Sequence, residues 1–310
     1  MLTKTPPARD PIDAMLSAAV PGVLAVIAGV EGPSYRPVGA MMAVFSDTEH
    51  AGTLSSGCIE ADIAVHAMHA AETGRARTLR YGRGSPYLDI QLPCGGGLDI
   101  LLLPAPDHDA LRTISENRNK RVPCALSINV ESGVLTVIPP APTARQGNQL
   151  TVLFEPEIRF LIFGKGPEAS TFAALVQSAG YPNLLASPDV ETLENATQSG
   201  CATRHITTRV FPEDLNVDDR TAVVLFFHDH DWEPLILSGA LKTEAFYIGA
   251  QGSQRARDAR LLELEAMGVP ESDRARLYGP VGLIPSARDA GTLAVSVLAQ
   301  VLAIAMARRS

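Results

Sequence analysis

The chain has 310 residues, 46% of them hydrophobic, with 26 Lys and Arg against 34 Asp and Glu for a formal net charge of −8. That length suits two domains with ample apolar cores, and the acidic balance argues against a broad nucleic-acid-binding face. The first residues lack the apolar run of a secretory signal, and the longest uncharged apolar run, residues 293–307, falls short of the ~20 residues of a membrane span and reads as a buried helix.

In chain order, Asp10 and Pro11 open a short helix over residues 12–19. Residues 23–30 are a continuous apolar run of strand length, followed by a loop dense in Gly and Pro over residues 31–39. Residues 40–45 read as a second strand. The stretch Ser55-Ser56-Gly57-Cys58-Ile59-Glu60 leads into a helix reaching Thr73 and stopped by Gly74, with Ile59, Ile63, Ala67 and Ala70 on one apolar face. Strands are expected at 87–92 and 98–103, around the bare loop Cys94-Gly95-Gly96-Gly97. A helix follows at 111–118, then a hairpin of residues 123–130 and 134–138 across Ser132-Gly133. Residues 139–148 are rich in Pro and lack apolar periodicity, which reads as a linker. The division expected is a mixed α+β domain over 1–140, a linker over 141–158, and a second domain over 159–310.

The second part alternates strand and helix, the signature of a Rossmann-like, doubly wound parallel sheet, so the fold class is α/β. Residues 159–163 are an apolar strand running into Gly164-Lys165-Gly166-Pro167-Glu168-Ala169, a relaxed dinucleotide fingerprint. Gly164 permits the tight turn, Gly166 lets backbone approach a pyrophosphate, and the helix start offers N–H groups to an anion. A βα turn without ligand is the bland alternative. Asp189, after a strand at 183–186, is the nearest acid to meet a ribose hydroxyl, and it sits late. The apolar strand 222–227 runs into His228-Asp229-His230-Asp231, and the strand 246–248 opens into Gly249-Ala250-Gln251-Gly252-Ser253. These strand ends should share one edge of the sheet, where ligands of such folds bind. His228, Asp229 and His230 are metal-type ligands, but successive residues point in alternating directions, so a polar crevice wall is the stronger reading.

Four cysteines, Cys58, Cys94, Cys124 and Cys201, are widely spaced with no Cys-x-x-Cys pair. This speaks against a structural zinc site or a disulfide scaffold, and a reduced, cytoplasmic setting is expected. Cys58 stands at a helix start, a place that favours thiolate; a small packing residue is the alternative. Ser55 and Ser56 suit helix capping. Arg36, in its Gly- and Pro-rich loop, is either an anion partner or a surface ion pair.

Together these residues resemble the xanthine dehydrogenase accessory factors, the XdhC/CoxI family. The resemblance spans most of the chain and rests on residues 31–40, Ser55 to Glu60, Cys94-Gly95-Gly96, the Gly164 turn, His228-Asp229-His230, residues 247–253 and residues 280–283. Where the family shows Ser-Gly-Gly-Cys, this chain has Ser56 in place of the first glycine. The resemblance implies an accessory, chaperone-like protein that binds molybdenum cofactor, as molybdopterin or its dinucleotide form. It implies help with sulfuration by a cysteine desulfurase and delivery to a molybdenum hydroxylase, and it leaves room for a homodimer. It further implies cofactor contacts from Arg36, Ser55, Ser56, Gly57, Cys58, Glu60, Cys94, Gly95, Gly96, Gly164, Gly166, Asp189, His228, Asp229, His230, Gly249, Gly252 and Ser253. Cys58 and Cys94 would meet the soft metal centre, and the thiol loops and the Gly164 turn would face one cleft. The rival reading is an NAD(P)-dependent oxidoreductase built on the second domain, for which no proton donor is assignable.

Overall fold

The structure, a computed structural model, describes residues 10–55, 57–85, 95–228 and 230–308, with His230 described in its backbone only. The chain divides into two compact units, Met1–Pro156 and Glu157–Ser310.

In the first unit α1 (Pro11–Ser17) begins where the Asp10 carboxylate accepts from the amides of Ile12 and Asp13, with proline at the first turn. Then come β1 (Val23–Glu31), β2 (Met41–Val44), β3 (His50–Gly52), α2 (Glu60–Thr73), β4 (Arg77–Gly82), β5 (Gly97–Pro104) and α3 (His108–Asn119). The strands form an antiparallel sheet in the order β3-β2-β1-β5-β4. β6 (Cys124–Asn129), β7 (Leu135–Ile138), β8 (Ala144–Gln146) and β9 (Gln149–Phe154) form a second antiparallel sheet in the order β7-β6-β9-β8.

β1 is apolar from Val23 to Ala28 because both faces of its sheet are covered. Val23, Ala25 and Ile27 pack toward Ile63 and Ala67 of α2. Leu24, Val26 and Ala28 pack with Met15 of α1, Leu111 and Ile114 of α3, and Leu126 and Leu150 of the second sheet. One sequence expectation needs correction. The stretch 141–158, read as linker, contains the hairpin of β8 and β9, whose Leu150 and Val152 are buried. The prolines before it dominate the composition, yet the alternation of Leu150 and Val152 was enough to add a strand to β6. β4 also went unread, although Leu79 and Tyr81 alternate inward. The expected strand at 87–92 lies outside the described residues.

The second unit runs β10 (Arg159–Gly164), α4 (Pro167–Ser178), β11 (Asn183–Ser187), α5 (Val190–Gln198), β12 (Ala202–His205), β13 (Thr221–Phe226), a 3-10 turn (His230–Trp232) and α6 (Glu233–Ala240). It ends with β14 (Tyr247–Ala250), α7 (Gln254–Ala266), α8 (Glu271–Arg274), β15 (Leu277–Tyr278) and α9 (Ala290–Ala307). All six strands are parallel, in the order β12-β11-β10-β13-β14-β15. Chain direction across the sheet therefore reverses between β10 and β13.

Phe160 and Ile162 of β10 pack with Phe172 of α4 and with Val297 and Val301 of α9. Leu161 and Phe163 face Ile236 and Leu237 of α6 and Leu264 of α7 on the other side. A fully buried ion pair, Arg260 to Glu233, ties α7 to α6 with Nε and Oε2 2.5 Å apart. The helix expected to be buried, α9, is buried along one face only. Ala294, Val297 and Val301 are inside, while Val295 is 55% and Met306 47% exposed.

Phe160 is fully buried and meets the rings of Phe172 and Tyr181 edge-on. Phe160→Ala is expected to cost the second unit about 3–5 kcal/mol, read as a fall in the denaturant midpoint of that unit's unfolding transition.

Candidate functional site

Strand register places three motif-bearing loops at one edge of the first sheet. β1 ends at Glu31 opposite Gly97, where β5 begins, and Gly82 at the end of β4 pairs with the same residue. Gly52, the last residue of β3, lies opposite Met42 near the start of β2. The chain thus leaves the sheet after Glu31, after Gly52 and after Gly82 on the same side, bringing Arg36, Ser55, the Gly57–Glu60 stretch and Gly95-Gly96 to one edge. Cys94 and Ser56 lie outside the described residues. A Cβ on Gly96 would stand 2.0 Å from the Pro33 carbonyl oxygen, so the first and third loops touch backbone to backbone, and only glycine fits. Arg36 is exposed and makes no ion pair among the described residues. An ion-pair cluster that motif reading missed lies beside them: Arg80 bridges Glu31 and Asp99.

Glu60 does a different job from the one expected. It is 4% exposed, and its carboxylate turns back over its own loop. Oε1 accepts from Thr53 Oγ1 (2.5 Å), the Leu54 amide (3.0 Å) and the Ser55 amide (2.8 Å). Oε2 accepts from Ser55 Oγ (2.6 Å) and the Ile59 amide (3.2 Å). Ser55 Oγ in turn accepts from the amides of Cys58 and Ile59, both at 3.1 Å. The N-cap residue of α2, Ile59, has no side-chain oxygen of its own, so Glu60 and Ser55 together do the capping. Burial alone would raise the Glu60 pKa, but the bonds from Ser55, Thr53 and the loop amides outweigh it and hold it at about 2. A carboxylate so fully engaged has no lone pair facing a ligand; Glu60 shapes the loop. Gly57 turns it at φ +98°, with open space where a side chain would be, and Cys58 beyond it is a free, exposed thiol. Cys124 and Cys201 are free and buried.

In the second unit the ends of β10, β11 and β13 surround a cavity of about 440 Å³, lined by Lys165, Gly166, Pro188, Asp189, Phe227, His228 and Trp232. It lies over the reversal of chain direction, the place where such sheets bind ligands. Gly164 is glycine because a Cβ there would meet the Phe226 carbonyl at 2.6 Å and Ala169 at 2.8 Å. Gly166 takes φ +90°.

Two of the N–H groups at this turn are used within the protein, while the first turn of α4, capped by Gly166, has no side-chain cap. The Lys165 amide bonds the Phe226 carbonyl (3.0 Å), the Gly166 amide bonds Thr192 Oγ1 (2.8 Å), and Pro167 has no N–H. Thr192 Oγ1 donates to Asp189 Oδ2 (2.5 Å), which also accepts from the Thr192 amide (3.0 Å). Asp189 is therefore the N-cap of α5. Those bonds from Thr192, with the nearby Lys165 ammonium, lower its pKa. His228 Nε2 lies 3.4 Å from Glu168 Oε1.

Asp229 and the His230 side chain lie outside what the structure describes. Among the described residues no three His, Cys, Asp or Glu side chains gather as a metal site. Gly249, Gly252 and Ser253 are not in the described cavity wall. Gly249 leaves room for the Tyr247 ring, Gly252 for the Arg260 guanidinium, and Ser253 Oγ caps α7 by accepting from the Ala256 amide. Sequence reading missed Lys165, Thr192 and Trp232. Lys165 lies inside the glycine motif and Trp232 just after the His-Asp run, so position flagged both; nothing in the sequence flagged Thr192.

A six-stranded parallel sheet with a cavity over its reversal defines the second unit as Rossmann-type, here following a mixed α+β unit. Residues 160–301 match the XdhC Rossmann domain, and residues 15–82 match the XdhC and CoxI family. The chain is 33% identical over 299 residues to the molybdenum cofactor insertion chaperone PaoD of Escherichia coli, covering 96% of this chain and 87% of that protein. It is 24% identical over 336 residues to a probable xanthine dehydrogenase subunit from Bacillus subtilis, covering 94% and 95%. The crystal structure of a xanthine dehydrogenase from Bacillus halodurans has the same fold, with a TM-score of 0.79 at 21% identity, over 96% of this chain and 95% of that one. This protein belongs to the XdhC and CoxI family.

Two outcomes follow from the loop chemistry. Glu60 sits at about 2 when folded against an ordinary 4.5, so its contribution is complete above pH 4.5 and is lost as pH falls toward 2, ~3 kcal/mol in all. Glu60→Gln is expected to be less stable than the parent at pH 7, with the gap in urea midpoint closing as pH drops below 4.5. Thr192→Val strands the Gly166 amide and removes a donor from Asp189, and is expected to cost about 1–3 kcal/mol in the same assay.

Proposed function

We propose that this protein is a maturation factor for molybdenum enzymes. It binds molybdenum cofactor as cargo, supports sulfuration of that cargo with a cysteine desulfurase, and delivers it to a molybdenum hydroxylase client in the cytoplasm. The observation that carries this reading is the likeness along 96% of the chain to a molybdenum cofactor insertion chaperone. The site chemistry supports it in each unit. The first presents an exposed, unpaired thiol, Cys58, on a loop clamped by Glu60 and Ser55. A soft thiolate suits a molybdenum–sulfur centre, and Cys94 is its proposed partner. The second unit has a cavity of ligand size with Lys165 and His228 at its rim, suited to the phosphate-bearing pterin.

The test is purification from a molybdenum-replete host followed by metal and pterin analysis. The expected result is molybdenum and pterin in equal amounts on the parent chain. Cys58→Ser is expected to keep its fold and pterin while losing most of the molybdenum or its terminal sulfur. A chain that carries neither, yet reduces NAD(P) at enzyme-like rates, would sink the proposal.

A further inference from the structure

Helix α9 turns an apolar face to water, and that face has the pattern of a helix seam. The 18 residues from Ala290 to Ala307 include no charged side chain. Ala294, Val297, Val301 and Ala305 are buried in the core of the second unit. On the opposite side Thr292, Val295, Ala299, Leu302 and Met306 follow one another at spacings of three, four, three and four, the heptad rhythm by which one helix seats on another. Val295, Ala299 and Met306 are exposed, and Thr292 and Leu302 are half-buried. A surface helix ordinarily turns charged or polar side chains to water on this side.

The ground beside the seam is equally apolar. Gln300 Oε1 accepts from the Gly282 amide (2.8 Å), Ser296 Oγ from the Ile284 amide (2.7 Å), and the Ser296 carbonyl from the Leu283 amide (3.3 Å). These bonds lay the loop 282–284 along α9 with Leu283 57% and Ile284 47% exposed. Ser296 follows Val295, so both aliphatic side chains adjoin the seam. Backbone held this firmly that still presents two large aliphatic groups to water marks a surface covered by another molecule.

Shape and charge select a second copy of the chain as that molecule. Ala299 is the midpoint of the seam, and its small side chain lets two backbones approach closely. A two-fold axis through Ala299 sets two copies antiparallel, with Thr292 against the partner's Met306 and Val295 against the partner's Leu302. The helix ends then match as well. Asp289 caps the N-terminus of α9, and Arg308, 5.9 Å over the Phe246 ring, follows its last turn. Antiparallel pairing brings Arg308 beside the partner's Asp289 and opposes the two helix dipoles, whereas parallel pairing sets like ends together. Arg288 precedes Asp289 in the chain, so the end pairs fix orientation and add little affinity. An anionic bilayer is a poorer match for a chain of net charge −8.

We propose that α9 is the contact helix of a two-fold symmetric, antiparallel dimer of this chain, widened by Leu283 and Ile284. The inference is independent of the cofactor reading. A single helix contact of ~27 Å length covers less than the ~800 Å² per partner of a standard interface, so the dimer is expected to dissociate with a Kd of roughly micromolar order.

Sedimentation velocity of the full chain over a concentration series spanning that range tests this. The parent is expected to pass from monomer to dimer. Ala299→Glu sets two like charges together on the axis and is expected to weaken association about tenfold or more, with the parent's circular dichroism retained because Ala299 is exposed. Cysteine crosslinking gives a second, independent readout. In chains with Cys58 and Cys94 replaced by serine, mild oxidation is expected to join Ala299→Cys to itself, and Thr292→Cys to Met306→Cys but not to itself. A parent that stays monomeric throughout, a dimer indifferent to Ala299→Glu, or Thr292→Cys joined to itself overturns the proposal. So does binding of a monomeric parent to phosphatidylcholine vesicles that Ala299→Glu abolishes, which assigns the face to a membrane.

Discussion

Burial of the central strands on both faces is the constraint from which the rest of this architecture follows. Residues Val23 to Ala28 of β1 and Phe160 to Phe163 of β10 are each at most 2% exposed, although one sheet is antiparallel and the other parallel. A strand enclosed between two layers has no side chain to spare for a ligand. Polar chemistry is pushed to the strand ends, where chain leaves the sheet and meets water. In the first unit that edge carries the loops of Arg36, Cys58 and Gly95-Gly96; in the second it carries the turns after β10, β11 and β13.

Loops placed there must be held without a core of their own, and the two units solve this in the same way. Each uses one buried polar side chain to satisfy the amides of a turn. Glu60 gathers five donors from residues 53–59, and Thr192 joins the Gly166 amide to Asp189. In the first case the clamp presents a thiol. In the second it holds one amide of the glycine turn.

Much of this was legible from the residues. Glycine spacing around Gly164, apolar runs at β10 and β13, and alternation of strand with helix gave the Rossmann-type unit, because those patterns are set by local sterics and burial. The motifs that carry the family resemblance also lie where the strands end. Composition misled at 141–158, where prolines outweighed the alternating Leu150 and Val152, and at α9, where an apolar sequence could not tell one buried face from two.

By itself the sequence determined which segments become strands and helices of the second unit, where they turn, and which residue types stand at the turns, since these follow from the period of apolar residues and from backbone permissions such as φ +90° at Gly166. Only the tertiary structure decided what those residues are free to do. Glu60, read as a ligand contact, is consumed by its own loop. The Gly166 amide, in the turn read as a place for a pyrophosphate, is bonded to a threonine 26 positions away. Hydrogen-bond capacity is finite, and which partner claims it depends on groups brought together by folding, which spacing along the chain does not encode.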